Sequence, residues 1–319
     1  LALLQAGATP AVLCGQPNTD ADEPVPEGGP LAHDTALGYP VFRSARPARD
    51  LPLLTAAWAP SALVVQSGRD VVPLVTAALA TGVPAALYFH NVEEASFGGW
   101  VRPEAGFLCL ANSGFTAARW RALFGLACHV LPPVVNAEAC LAGVGSRERV
   151  LFVNPVPVKG VELAFALAQA CPDIPFTFVP SWTLQSNWAA QVQARAAALP
   201  NVQLLDAVED MRPIYADTKL LLMPSVWEEA FGRTVVEAQI NGIPALASDR
   251  GALPQVVGQG GLMLSPHAPV AAWVQALRTL YADPGPWAEP ARRTGLLHAA
   301  QTPLIARQLL SLLAAHGAR

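Results

Sequence analysis

The run Leu220-Leu221-Leu222-Met223 is apolar at every position and closes at Pro224. A strand without polar alternation is apolar on both faces, so it belongs inside a parallel sheet covered by helices on both sides. The residues that follow, Glu229-Ala230-Phe231-Gly232-Arg233-Thr234-Val235-Val236-Glu237, lead into Ala238-Gln239-Ile240 and the stop Asn241-Gly242-Ile243-Pro244. The pattern predicts strand, loop and helix, with the helix starting near Gly232. A helix start offers unpaired N–H groups and the positive end of a dipole, which suit a phosphate. Glu229 and Glu237 would not help a phosphate, but carboxylates accept hydrogen bonds from hydroxyls. An anion hole between two hydroxyl acceptors fits a ligand with both phosphate and sugar, a nucleotide sugar.

The same alternation runs along the whole chain. Strands are predicted at Pro10–Cys14, Ala62–Gln66, Ala85–Phe89, Gly106–Ala111 and His129–Leu131, with helices at Leu1–Ala6, Leu51–Trp58, Val71–Thr81 and Thr116–Phe124. After Pro132–Arg149, which has little periodicity, strands recur near Val150–Val153, Phe176–Val179, Val202–Leu205, Lys219–Met223 and Ala245–Ala247. Helices recur near Val161–Cys171, Trp188–Leu199, Asp210–Ala216 and Arg233–Asn241, and Val270–Tyr281 and Pro303–Ala315 are helical. This predicts an α/β protein of two Rossmann-like parallel-sheet domains. We expect a first domain over 1–140, a linker over 141–149, a second domain over 150–300, and a C-terminal helix over 301–319 packing back on the first domain. Ligands sit beyond the carboxyl ends of strands in such sheets. Ser67-Gly68, His90-Asn91 and Asn112-Ser113 follow strands of the first domain; Lys159-Gly160, Ser181-Trp182 and Glu229–Thr234 follow strands of the second.

Composition excludes several classes. The formal net charge of −4 gives no general nucleic-acid footprint. No apolar run approaches the roughly 18 residues of a membrane span. Cys14, Cys109, Cys128, Cys140 and Cys171 lack metal-site spacing and read as buried free thiols of a reducing compartment. Of the 20 Lys plus Arg only Lys159 and Lys219 are lysines. We expect a cytoplasmic protein, with peripheral contact to the inner membrane face as a second expectation.

The block from Glu229 to Pro244 resembles the retaining glycosyltransferases of family 4, which have the GT-B fold. The Glu-x7-Glu pair with Phe231-Gly232 inside it, Asp249-Arg250-Gly251-Ala252-Leu253-Pro254, Gly258–Gly261, and Phe152–Gly160 with its Lys-Gly turn carry the resemblance. His90, Ala111–Thr116 and Leu131-Pro132-Pro133-Val134 match more loosely. The resemblance implies two domains facing each other across a deep cleft and transfer of a sugar from a UDP- or GDP-sugar to a hydroxyl of a glycan, glycolipid or small molecule. It implies retention by a front-face route, no metal and no cofactor, and bacterial polysaccharide or glycoconjugate biosynthesis. Glu237 would hold the ribose and Glu229 the donor sugar. The N–H groups of Phe231, Gly232 and Arg233, beside Thr234, would meet the sugar and distal phosphate. Lys159 would neutralise the leaving diphosphate, and His90 would face the reacting sugar.

The chain departs from the family at several points. Asn154 stands where an Arg is usual, so Arg233 or Arg250 is expected to replace its charge; Gln255 stands for a Glu; and Pro180-Ser181-Trp182 replaces a Gly-rich turn, with Trp182 expected either to stack on the base or to fill the gap. The first domain's opening strand and Gly-rich loop are expected to be absent from the chain.

Plainer readings compete. Glu229 and Glu237 could be a charge pair at a helix start, Lys159 a solvated side chain, and His90 a core histidine. Asn112 and Ser113 suit a helix N-cap, and Arg119-Trp120-Arg121 suits a packed helix better than a membrane face. Asp20-Ala21-Asp22 resembles the metal motif of the other glycosyltransferase fold but lies in a polar loop. The rival functions are a non-catalytic nucleotide-sugar-binding module, a nucleotide-sugar epimerase and a phosphorylase. The last two need acid/base residues or a pyridoxal lysine that the sequence does not offer clearly.

Overall fold

A computed structural model describes residues 1–15, 32–68, 71–95, 97–102, 106–181 and 184–318. The chain divides into one unit of residues 1–132 with 302–319 and a second of residues 133–301.

The first unit opens with α1 (Ala2–Gln5) and a small sheet of β1 (Val12–Cys14), β2 (His33–Asp34) and β3 (Val41–Arg43) in the order β1-β3-β2. The two- and three-residue strands β2 and β3 are too short to show a period, and the sequence reading lacked them. Then come α2 (Pro47–Trp58), β4 (Leu63–Gln66), α3 (Val71–Ala80), β5 (Ala85–Phe89), β6 (Leu108–Ala111), α4 (Gly114–Phe124) and β7 (His129–Val130). Strands β4-β5-β6-β7 form a parallel sheet. Every residue of β5 and β6 is buried, as continuous apolar runs require. Trp120 of α4 lies in this core against Phe89, Phe97 and Phe124, with its indole N–H donating to Asn91 O at 3.1 Å. The Arg119-Trp120-Arg121 stretch is therefore a packed helix at its centre.

The second unit contains α5 (Ala137–Cys140), β8 (Arg149–Val153), a 3-10 turn (Pro157–Lys159), α6 (Val161–Ala170), β9 (Phe176–Val179), α7 (Ser186–Ala197) and β10 (Val202–Leu204). It continues with α8 (Arg212–Asp217), β11 (Thr218–Met223), α9 (Arg233–Ile240), β12 (Ala245–Ser248), α10 (Leu253–Val257), β13 (Gly261–Leu264), α11 (Val270–Ala282) and α12 (Gly285–Ala300). All six strands are parallel, in the order β10-β9-β8-β11-β12-β13. Successive side chains alternate between two cores. Val150, Phe152, Leu220 and Leu222 join α6 and α11 on one face; Leu151, Leu221, Ala245 and Ala247 join α9 and α10 on the other.

Two expectations change here. Residues 141–149 are not a separate linker, because the division falls between Pro132 and Pro133. Val135 and Cys140 are buried in the second unit's core, and Asn241 ties the segment down, accepting from Ala142 N at 2.7 Å and donating to Cys140 O at 2.9 Å. The second change is α12, unread because Pro286 and Pro290 interrupt its pattern. Pro is tolerated in a first turn, and tertiary packing supplies the rest: a Cβ at Gly295 would lie 2.4 Å from Ile240 N, so only glycine lets α12 come this close to α9.

The last helix, α13 (Thr302–Gly317), belongs to the first unit. Its Ile305 is buried with Ala86, Tyr88, Leu108, Leu110 and Leu131. All five cysteines are free; Cys109, Cys140 and Cys171 are buried, while Cys14 and Cys128 are partly exposed. Among the described residues no helix is long and apolar enough to cross a membrane.

Candidate active site

Numbered within the second unit, its strands lie in the order 3-2-1-4-5-6, so chain direction across the sheet reverses between β8 and β11. The loops leaving the carboxyl ends of these strands diverge there, which makes the crevice where doubly wound sheets bind ligands.

The two loops are joined to each other. Val226 N and Trp227 N both donate to Val158 O, at 3.1 and 3.2 Å. Gly160, at φ +80°, lies so close to the other loop that a Cβ would stand 2.0 Å from Pro224 O. This brings Lys159 to Glu229: Nζ donates to Oε1 at 2.6 Å, with side-chain exposures of 14% and 9%. The Ser225 hydroxyl donates to the same oxygen, also at 2.6 Å. A third loop, after β12, supports the Glu229 backbone. Ala252 N donates to Glu229 O at 2.7 Å, and Gly251, at φ +61°, leaves only 2.2 Å between a would-be Cβ and that oxygen. Beside the pair a cavity of about 30 Å3, the room of a single water, is lined by Asn154, Lys159, Ser225, Thr234 and the ends of β8 and β11.

Helix α9 starts after Gly232, whose φ of +98° no other residue adopts without strain, and no side chain caps this N-terminus. The turn thus presents backbone donors and a dipole end to a ligand. Glu237 lies one turn further on. Its Oε2 accepts from Tyr215 OH at 2.9 Å and its Oε1 from Arg233 Nε at 2.8 Å. Burial, then the Glu237 charge, raise the Tyr215 pKa, so the phenol stays protonated and donates. The ring of Phe231 is buried in the core, 5.4 Å from His298, so only its backbone can serve a ligand.

Asn154 is 6% exposed, and its Oδ1 accepts from both Ser181 N at 2.7 Å and Ser181 Oγ at 3.0 Å. Its φ of +61° is a conformation Asn adopts far more readily than a long side chain. Asn154 and Ser181 together therefore tie the turn after β8 to the turn after β9. That gives a backbone reason for Asn where the family resemblance expects Arg. Of the two candidate replacement cations, Arg233 is committed to Glu237 and Arg250 lies 3.7 Å from Glu228. Trp182 and Asp20-Ala21-Asp22 lie outside the described residues.

His90 belongs to the first unit, at the carboxyl end of β5. Its N–H donates to Ser67 Oγ at 2.8 Å, its carbonyl accepts from Asn112 Nδ2 at 3.2 Å, and its ring lies 4.0 Å from that of Tyr88. Nε2 is buried without a hydrogen-bond partner, and burial pulls the imidazole pKa down to about 4. The ring is therefore neutral near pH 7. Ser113 caps α4, accepting from Thr116 N at 3.0 Å, as an N-cap serine should.

Sequence reasoning missed Ser225 and Tyr215, which hold the two glutamates. Ser225 directly follows a strand-ending proline, a signal that could have been used; Tyr215 reaches Glu237 only through the tertiary fold.

Solved structures share this architecture. Sucrose-phosphate synthase from Thermosynechococcus elongatus superposes with a TM-score of 0.73 over 98% of this chain and 90% of that one, at 16% identity. Anabaena HepE, solved in complex with UDP, gives 0.70 over 86% and 85%, at 17% identity. Two Rossmann-like parallel-sheet units in this company define a GT-B fold. Residues 147–283 match the model of the group 1 glycosyl transferases. Among curated proteins, the O-antigen chain mannosyltransferase B of Escherichia coli is 36% identical over 93 residues, 29% of this chain. The match spans only 24% of that mannosyltransferase's length.

Proposed function

We propose that the chain is a glycosyltransferase that moves a sugar from a nucleotide-diphosphate donor to an acceptor hydroxyl. One observation carries the reading: Lys159 and Glu229, from the loops after β8 and β11, meet at the reversal point of a 3-2-1-4-5-6 sheet, beside the uncapped start of α9. The pair supplies a cation for a leaving diphosphate and a carboxylate for sugar hydroxyls. In the ligand-free protein each holds the other in place. A diphosphate entering beside Gly232–Thr234 competes for Lys159, and the freed oxygen of Glu229 turns to the donor sugar.

The rest follows from charge. Departure of a nucleoside diphosphate builds negative charge, and a fixed ammonium with the dipole end of α9 stabilises it, the work a metal does elsewhere. Glu237, held between Tyr215 and Arg233, is placed to accept the ribose hydroxyls. Glu229 Oε1 already accepts from Lys159 and Ser225. That suits a hydroxyl reader better than a nucleophile and favours retention by a front-face route, in which a leaving phosphate oxygen takes the acceptor proton. His90, neutral and with an unpartnered Nε2, is the first unit's candidate to meet the donor sugar. The binding of UDP by HepE supports a nucleotide-sugar donor, UDP or GDP.

A second reading, a binding module without turnover, is favoured by the uncharged Asn154. Release of nucleoside diphosphate from a panel of UDP- and GDP-sugars separates the two. Turnover that disappears in Lys159→Ala supports the enzyme; tight binding with no turnover across donors and acceptors supports the module.

A further inference from the structure

The second unit has another cavity, of about 420 Å3, on the opposite edge of its sheet. Arg147 precedes β8, Lys219 is the second residue of β11, and Gly242 precedes β12, so these lining residues mark the amino ends of parallel strands whose carboxyl ends hold Lys159 and Glu229. Asn241, Pro284, and Gly285, Ala288, Glu289 and Arg292 of α12 complete the wall.

Three of the nine lining residues are cationic and one is acidic. Among the described residues, none of the three cations forms an ion pair. Each is held by neutral groups instead. Arg147 Nη1 reaches Thr218 O at 3.5 Å, from a backbone at φ +53° that costs a non-glycine residue energy. Lys219 Nζ lies 4.3 Å over the Tyr281 ring, an attraction that leaves its charge uncancelled. The stem of Arg292 lies over Gly242, where an added Cβ would come within 3.6 Å of Arg292 Cβ. Burial, and then the charge of Arg292, pull the Arg147 pKa below its usual value. The start of α12 adds no free donor, because Gly285 N donates to the Asp283 carboxylate at 3.0 Å and Trp287 N and Ala288 N donate to Pro284 O. Gathered like charges repel until an anion joins them.

We propose that this cavity is a second binding site, for the phosphoryl group of a small phosphomonoester or a lipid headgroup. Two guanidinium forks with an ammonium beside them are a phosphate-recognising set. The volume lies within the roughly 300–1,000 Å3 of small-molecule sites, so the phosphoryl group arrives on a body. Glu289 can accept a hydroxyl of that body.

Because Lys159 and Lys219 are the only lysines in the sequence, acylation followed by peptide mass spectrometry reads the two edges of the sheet separately. The full chain is acylated with inorganic phosphate, with glycerol 3-phosphate, with phosphatidic acid vesicles, and with phosphatidylcholine vesicles as control. Glycerol 3-phosphate or phosphatidic acid should slow acylation of Lys219 several-fold. Protection by the soluble ester identifies a free phosphomonoester, and protection by vesicles alone identifies a headgroup. Arg292→Gln, at an exposed side chain, should abolish the effect, while Arg293→Gln, outside the cavity, should keep it. No protection of Lys219, or protection that survives Arg292→Gln, overturns the proposal. UDP protection is read at Lys159, so its failure counts against the donor site and leaves this one standing.

Discussion

The Lys159–Glu229 pair can be tested as a stability element before any substrate is known. Its atoms are 2.6 Å apart, both side chains are largely buried, and the carboxylate has one further donor, Ser225. Lys159→Met leaves a desolvated carboxylate with that hydroxyl alone. Removing one partner of a buried pair costs about 3–5 kcal/mol, and the surviving hydrogen bond puts this case near the lower end, about 3 kcal/mol. Glu229→Gln keeps the shape and replaces the charge facing the ammonium by a neutral acceptor, for about 2 kcal/mol. The double variant strands neither charge, so it should be more stable than the sum of the single losses predicts, by about 2 kcal/mol. The assay is urea-dependent hydrogen exchange of the β11 amides, Leu220–Met223, which reads the second unit alone. Losses that add to within about 0.5 kcal/mol would refute the coupling.

Three further outcomes are expected. Glu237→Ala should weaken binding of a bare nucleoside diphosphate about tenfold or more, as loss of hydrogen bonds to a charged group implies; Glu229→Ala should reduce sugar transfer more than nucleotide binding, and titration calorimetry beside a transfer assay would expose the reverse pattern. His90, at about 4 against 6.5 for a free imidazole, takes up its proton more readily in the unfolded chain; its contribution is complete above pH 6.5 and declines by up to about 3 kcal/mol as pH falls to 4, so melting curves of His90→Gln should lack that part of the pH dependence. Gly160→Ala, at φ +80° and against Pro224 O, should cost about 2 kcal/mol or more and part the two loops, read as a lowered Tm together with loss of nucleotide binding.

Much of the second unit was legible because its strands are apolar throughout. Leu220–Met223 could only be a covered strand, and the stop at Asn241–Pro244 fixed the end of α9. Helix α12 was not legible, because its prolines hide a helix that close packing at Gly295 holds in place. Residues 141–149 read as linker because the segment's anchor, Asn241, lies about a hundred residues away. At the site, Lys159 and Glu229 were each found by position after a strand. Their ion pair was not, since it depends on two loops meeting across the reversal point of the sheet. Asn154 read as a missing cation, yet its left-handed backbone and its bonds to Ser181 are local structural reasons for an asparagine that no charge argument contains.

The most direct test of the donor site is thermal stabilisation by UDP, GDP, ADP and their common sugars, in the wild-type chain and in Glu237→Ala. A ligand at 100 times its Kd stabilises by about 2.7 kcal/mol. The account predicts that at least one nucleotide and its sugar raise the Tm of the wild-type chain, and that Glu237→Ala loses most of the shift. No shift with any of them, or a shift that Glu237→Ala leaves unchanged, would contradict it.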